Sequence, residues 1–360
     1  MELSGNKGEW SEIYTLLRLL GDGKIHAGDA KLNKLEIFYP IISIIREESE
    51  RHEYRPDTNT NVVIVNQNGH ALTRIPMCVM LEEAEYLLAE IKNASKTTFS
   101  IERTECFMHR IGCEKIKAPS KDKADIHIVI HDLKLNMQHL LGFSIKSQLG
   151  RASTLLNAGE TTNFLYKVTG KTLSDGDILS INKIDKHKER MEHIAAMGLK
   201  LNFISVDCRT FDSNLRFIDS LMPQYIAECL IVDSSTHASS DIKGIVETIA
   251  KLNPLKYTGG NKTEFYAYKM KCLLLSAALG MTPAKEWNGR YDANGGYIVV
   301  KQNGDIVCYH FYNRNEVEDY LYENTRLEMA SRSRYKFGHV FRGTDGEVYI
   351  RLNLQIRFKK

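Results

Sequence analysis

The chain has 360 residues, 43% of them hydrophobic, and 48 Lys and Arg against 45 Asp and Glu give a formal net charge of +3. Such a composition belongs to ordinary soluble globular proteins and excludes disordered, collagen-like and acidic-tail classes. Taken as one number, +3 argues weakly against a nucleic-acid binder, in which Lys and Arg usually exceed the acids.

The opening residues, MELSGNKGEWSE, hold no apolar run behind a basic cluster, and no stretch approaches the roughly 18 apolar residues of a membrane span. A cytoplasmic protein without membrane contact is expected. The seven cysteines, Cys78, Cys106, Cys113, Cys208, Cys229, Cys272 and Cys308, form no CxxC pair, so reduced thiols are expected. Cys106, His109 and Cys113 are too few for a tetrahedral metal set, and no second Cys/His pair completes one.

Ile13, Leu16, Leu17 and Leu20 fall at helical spacing and predict a first helix, with Gly21 as its stop. A second amphipathic helix is predicted over about 34–50, a short buried strand at 62–65 (VVIV), and a helix rich in Glu, Ala and Leu over 81–92. From Ala124 the period changes to two: Ile126, Ile128 and Ile130 alternate with His127, Val129 and His131, a polar stretch follows, and then LLGFSIKSQL. This is a hairpin signal with a loop longer than a two-residue turn. Helix-like segments follow at 152–156 and 162–169, a charged helix at 183–197, a strand at 201–206, and helices near 212–222, 241–252 and 263–279. From Gly295 the chain turns strand-rich around a helix at 315–323. Alternating elements of this kind define an α/β or α+β protein, in one compact body with room for a C-terminal module.

Within the hairpin, placing Asp125 opposite Lys146 centres the turn on residues 135 and 136, where LNMQ interrupts the strands. Asp132 would then stand opposite residue 139, away from Lys146, so Asp125 is the better candidate acid. Ser144, Lys146 and Gln148 share one face, because side chains alternate along a strand. The other face, with Phe143, Ile145 and Leu149, is apolar except for Ser147. A lysine between small polar residues, facing an aspartate, is the pattern of an active site at a sheet edge. The plain alternative is a surface ion pair worth about a few tenths of a kcal/mol. On the first helix, Glu9 falls about 30° and Glu12 about 90° from the centre of the apolar stripe. Glu9 is therefore expected to point inward and to need a partner or a metal, and Glu12 to be a flanking surface acid. Both also fit ordinary helix-start acids that favour the macrodipole.

KADIHI followed by GFSIKSQLG resembles the metal-binding core of the PD-(D/E)XK nucleases. GNKGEWSEIYTLLRLLGDGK at the start, GFSIKSQLGRASTLLNA in the middle and YHFYNRNEVEDYL, ENT and LNLQIRF at the end are similar, in that order, to the HpaII-type restriction endonucleases. The resemblance implies a PD-(D/E)XK core of mixed sheet flanked by helices, with residues 1–290 as nuclease core and 291–360 as a strand-rich DNA-recognition region. It further implies a type II restriction enzyme making Mg²⁺-dependent double-strand cuts at a short palindrome, the family's reference site being CCGG, and leaving 5′-phosphate ends. Asp125 then takes the place of the metal-ligand aspartate and Lys146 that of the catalytic lysine. Ser144 stands where an Asp or Glu usually helps to bind the ion, and serine is a poor ligand for a hard cation. Glu9, Glu12 or a carbonyl such as that of Ile145 must make up the coordination, and Gln148 could hold a water or a phosphate oxygen. Lys146 would position or activate the attacking water and offset developing charge. Rival readings are an inactive DNA-binding protein on the same scaffold, kept alive by Ser144, and a repair nuclease that reads DNA structure.

Residues 332–360 hold eight basic side chains against two acids, which leaves the rest of the chain near −3. Tyr309, Phe311, Tyr312, Asn313, Arg314 and Asn324 precede them, types that contact phosphates and base edges. Arg314, Arg332 and Arg334 are expected to read a G·C-rich site, with Asn324 and Lys336 beside them; the plain alternative is a solvated strand face with a basic end. A smaller basic cluster over 110–123 leads into Asp125. The charged helix at 183–197 reads as a solvated face. TGGNKT at 258–263 fails as a phosphate loop because Pro254 occupies the place of its first Gly, so no nucleotide cofactor is expected. A palindromic DNA site favours a two-fold homodimer.

Overall fold

The computed structural model describes residues 3–117, 124–133, 136–234, 240–291, 295–310, 314–329 and 337–359. Helix α1 (Lys7–Asp22) leads into strands β1 (Lys24–Gly28), β2 (Lys34–Glu47), β3 (Arg51–Asp57), β4 (Val62–Gln67) and β5 (His70–Pro76). Helices α2 (Met77–Asn93) and α3 (Glu102–Arg110) and the hairpin β6 (Ile126–Asp132) and β7 (Met137–Ser147) follow. The middle of the chain holds β8 (Thr154–Leu156), β9 (Asn163–Thr169), α4 (Asp175–Lys183), α5 (His187–Ala196), β10 (Lys200–Val206), α6 (Arg209–Ile218), α7 (Met222–Asp233), α8 (Ile242–Leu252) and α9 (Lys262–Leu279). The last elements are β11 (Gly296–Val300), β12 (Ile306–His310), α10 (Arg314–Asn324), β13 (Thr325–Leu327), β14 (Val340–Arg342), β15 (Val348–Asn353) and β16 (Ile356–Phe358).

These elements form two compact units, one of Met1–Ser153, Tyr291–Tyr320 and Lys360, the other of Thr154–Arg290 and Leu321–Lys359. The expected ranges, 1–290 and 291–360, do not coincide with these units: 154–290 separates from 1–153, and the C-terminal range is divided at 320/321. Residues 291–320 join the first unit because β11 pairs in parallel with β7 and β12 pairs in parallel with β1. Pairing between strands this far apart leaves no trace in local composition.

The first unit is built on a nine-stranded mixed sheet in the order β1-β12-β11-β7-β6-β2-β3-β4-β5, with β1 also paired to β2. Helix α1 starts because the Asn6 side chain accepts from the N–H groups of Gly8 and Glu9 while Glu9 accepts from the Asn6 N–H, a capping box. It contacts both the sheet and α2, and every residue from Trp10 to Leu17 is buried. Gly21 does not stop the helix as predicted, since α1 runs to Asp22 and Gly23 caps it by donating to the Leu19 carbonyl at 2.9 Å. A Cβ at Gly21 would lie 2.5 Å from the Leu81 side chain, so the glycine permits the close approach of α2. The helix predicted over 34–50 is instead the long strand β2. Its run of Ile, Phe and Tyr suits a pleated surface, and Pro40 would cost a helix interior about 3 kcal/mol.

The second unit holds two small antiparallel sheets, β10-β9-β15-β14 and β13-β16-β8, with helices α4 to α9. The helix-like segments at 152–156 and 162–169 are the strands β8 and β9. In β9 the buried residues Phe164, Tyr166 and Val168 alternate with half-buried Leu165, Lys167 and Thr169, the period of a strand covered more on one side than the other. The charged stretch at 183–197 is divided between the end of α4 and α5, and α7 buries most of its length, so it shows no amphipathic stripe to read. TGGNKT runs into the first turn of α9, where the Asn261 side chain accepts from the Glu264 N–H as a helix cap.

Candidate active site

The hairpin register runs from Ile126 opposite Phe143 to Asp132 opposite Met137. Continued one step, it places Asp125 opposite Ser144 and not Lys146, two residues from the expected pairing. A shift of two keeps every side chain on its face, whereas a shift of one would have sent Lys146 to the other side of the sheet. Asp125, Ser144 and Lys146 therefore still share a face, with Lys146 diagonal to the aspartate. The Asp125 N–H donates to the Phe143 carbonyl at 2.8 Å and fixes the backbone. Its carboxylate Oδ2 accepts from the Ile145 N–H at 2.7 Å and from the Ser144 hydroxyl at 3.0 Å. Both bonds fall on Oδ2, which leaves Oδ1 to take a cation.

Lys146 lies beside β11, where Tyr297 pairs with Ser144 and Val299 with Lys146 itself. Its Nζ sits 5.2 Å from the centre of the Tyr297 ring. Burial lowers the Lys146 ammonium below the ordinary lysine range, while Asp125 and Glu12 oppose that shift. Burial raises the Tyr297 hydroxyl well above the tyrosine range, so the ring beneath the ammonium stays un-ionised.

The two helix acids exchange their expected places. Glu12 is buried, at 9% exposure, and Glu9 is half-exposed and occupied by the Asn6 N–H at 2.9 Å. A helical wheel marks the inside of a helix only where the helix has one wet face. With α1 covered on most sides, the apolar stripe does not mark the inside, and Glu12 is the acid that must be accommodated. Ser147, the polar exception on the apolar face, meets α1 through a 2.8 Å contact between its hydroxyl and that of Ser11.

Asp125, Glu12 and Lys146 line one cleft of about 770 Å³. Its walls are the start of α1 from Asn6 to Glu12, the segment Ala94–Thr97, Lys117, and the chain from Ile145 to Ser153. The segment after α2 is held against the helix start by paired backbone bonds between Gly5 and Phe99 and by the Trp10 indole N–H donating to the Phe99 carbonyl at 2.9 Å. Lys7, Lys96, Lys117, Lys146 and Arg151 face the three acids Glu9, Glu12 and Asp125, a positive excess fit for a polyanion. Sequence reasoning missed Lys7, Lys96 and Arg151, which sit in helix-start or loop segments without periodicity; Lys117 belongs to the basic cluster it did single out. Gln148 is not among the cleft-lining residues, and its backbone N–H bonds the Val300 carbonyl at 2.9 Å.

Asp125 and Glu12 in this cleft, with Glu9 beside them engaged at the helix cap, are hard oxygen donors. Among the described residues no group of three or more His, Cys, Asp or Glu side chains is arranged to hold a metal. Oxygen donors of this kind fit a hard divalent cation such as Mg²⁺, which keeps several waters and takes one or two carboxylates together with phosphate oxygens. They do not fit a structural zinc.

Of the expected base readers, Arg314 and Asn324 are among the described residues. Arg332, Arg334 and Lys336 lie outside the described residues, as do Phe311, Tyr312 and Asn313. Arg314 is exposed at the start of α10 and pairs with Glu318 at 2.6 Å. Asn324 is half-buried at the end of α10, its carbonyl accepting from the Lys359 N–H at 2.7 Å. Tyr309, grouped with the readers, is a core residue instead: it is 1% exposed and stacks on Tyr320 with ring centres 4.0 Å apart. Much of the basic excess in the tail is spent inside the second unit. Arg342 pairs with Asp175, Arg351 with Asp207, Arg357 with Glu328 and Lys359 with Asp241.

No helix among the described residues is long and apolar enough to cross a membrane. No solved structure matches the chain. The family model for HpaII restriction endonucleases matches residues 6–358. The chain is also 43% identical over 357 residues to the type II restriction enzyme HpaII of Haemophilus parainfluenzae, covering 99% of this chain and 98% of that protein. The chain belongs to the HpaII restriction endonuclease family, a family of type II site-specific deoxyribonucleases.

Proposed function

We propose that the cleft of the first unit is the cutting site of a PD-(D/E)XK nuclease that hydrolyses both strands of duplex DNA at a short palindrome, CCGG, and leaves 5′-phosphate ends. The observation that carries this reading is the convergence of Asp125, Glu12 and Lys146 on one cleft rich in cations. Asp125 and Glu12 are the residues to hold Mg²⁺, with Glu9 kept at the helix cap. When bound, the ion supplies Lewis acidity to the phosphoryl oxygen and lowers the pKa of water. Ser144 and the Ile145 N–H orient Asp125 through Oδ2. Lys146 directs the attacking water at phosphorus and offsets charge building on the phosphoryl oxygens. Lys7, Lys96, Lys117 and Arg151 hold the flanking phosphates. Arg314, Arg332, Arg334, Lys336 and Asn324 are assigned to base and backbone contacts, and two copies of the chain, one per strand, match the symmetry of the site.

The test is Lys146→Ala. That variant should lose Mg²⁺-dependent nicking of plasmid DNA and keep site-specific binding in Ca²⁺, while sequenced ends from the wild-type digest should fall at one fixed site. Full cleavage by Lys146→Ala, or scattered ends, would overturn the proposal.

A further inference from the structure

We infer that Tyr297 positions Lys146, its ring face acting as the platform on which the ammonium rests above the cleft. This rests on the reading of Lys146 as the lysine that acts at the scissile phosphate. Three observations carry it. Lys146 Nζ lies 5.2 Å from the ring centre, inside the distance of about 6 Å at which a cation is drawn to an aromatic face. The ring itself cannot wander, because Tyr297 is 2% exposed and its strand is in register with β7, Tyr297 against Ser144. The start of β11 is also pressed onto β7: the Gly295 N–H donates to the Gly142 carbonyl at 2.9 Å, and a Cβ at Gly295 would stand 2.7 Å from that same oxygen.

A lysine on a four-carbon stem has many rotamers, and the carboxylates beside it offer attraction without direction. The aromatic face adds a direction, normal to the ring. The platform is the π-system and not the hydroxyl, so what matters is electron density over the ring. Tyr297 touches no reacting atom in this scheme and is a positioning residue.

The experiment measures single-turnover nicking with Mg²⁺ for Tyr297→Leu, Tyr297→Phe and a series in which position 297 carries phenylalanine with one, two or three ring fluorines. Fluorine drains electron density from the ring face and scarcely changes its shape. Tyr297→Leu should slow nicking roughly tenfold, Tyr297→Phe should recover most of that loss, and the rate should step down with each fluorine. Affinity for DNA in Ca²⁺ and the melting temperature should stay level across the fluorinated series. A flat rate across that series overturns the platform, as does failure of Tyr297→Phe to recover what Tyr297→Leu loses. If Tyr297→Leu does not fold, the near-isosteric series still decides. Lys146→Ala separates the two levels: an inactive Lys146→Ala with a flat series removes the platform alone, whereas an active Lys146→Ala removes the underlying assignment.

Discussion

Replacing Ser144 by alanine tests what a serine does at a position usually held by an acid. In the structure its hydroxyl is the second donor to Asp125 Oδ2, at 3.0 Å, after the Ile145 N–H at 2.7 Å. A hydrogen bond to a charged group is worth about 1.5–3 kcal/mol net. Since the shorter backbone bond remains, Ser144→Ala should forfeit the lower end of that range or somewhat less, about 1–2 kcal/mol of orientation at Asp125. If all of it appears in the transition state, single-turnover nicking slows by roughly 5- to 30-fold, and the Mg²⁺ concentration for half-maximal rate rises. Asp125→Asn, which removes the charge itself, should abolish measurable cutting. A fall of more than about a thousandfold in Ser144→Ala would mean that the hydroxyl acts directly on the reaction. An unchanged rate with an unchanged Mg²⁺ midpoint would mean that the bond orients nothing. Ser144→Asp sharpens the test, because like charges on facing positions of a strand pair repel. That variant should melt lower than wild type without Mg²⁺ and gain more than wild type does when Mg²⁺ is added.

Glu12→Gln should lose cleavage while Glu9→Gln keeps it and instead costs about 1 kcal/mol or less of stability through the weakened capping box; a pair of plasmid assays and urea melts gives the answer, and the reverse pattern would return the metal to Glu9. Lys117→Ala should reduce the dependence of log Kd on log salt by about one and leave the rate of bound complex alone, as expected for a contact to one phosphate; an unaltered slope would place Lys117 off the DNA. Burial pushes the His310 imidazole down to about 4, with Asp132 opposing and His139 adding to the shift. A histidine kept neutral in the fold stabilises it fully above the ordinary value near 6.5 and loses that contribution as pH falls, by about 3 kcal/mol near pH 4. Urea melts at pH 7.5 and 4.5 should therefore show a smaller loss for His310→Phe than for wild type, and equal losses would exclude His310 as the source.

How much of this was legible in the sequence depended on whether the physics was local. The hairpin carrying Asp125 and Lys146 was readable because alternation is written into six consecutive residues, Ile126 to His131, and because an error of two in register leaves the faces unchanged. The helix at α1 was readable from its stripe, yet its burial on nearly every side was not, so Glu9 and Glu12 were assigned the wrong way round. Segments such as β2 and β9 have enough apolar residues to fit either period, and only their partners in the sheet decide. Tyr297 left no signal at all. It lies 151 positions from Lys146 along the chain and meets it only through the parallel pairing of β11 with β7.

Charge is where sequence arithmetic and structure part most usefully. The basic excess in residues 332–360 suggests a grip on DNA concentrated in the tail, but Arg342, Arg351, Arg357 and Lys359 each already hold an acid of their own unit. Such pairs, half-exposed, add little to stability and leave little net field to attract a phosphate. Among the described residues Lys96, Lys117 and Arg151 of the cleft make no ion pair, and the Lys7 ammonium donates to the Lys92 carbonyl at 3.2 Å. Local charge counts would have ranked these four well below the tail. Cations left without acids strengthen the field that draws a polyanion, and Lys96, Lys117 and Arg151 are three of them on the cleft where Asp125 and Lys146 meet. An overall charge of only +3 therefore does not weigh against a DNA site, because what a phosphate backbone meets is the local balance at the cleft, five cations against three acids.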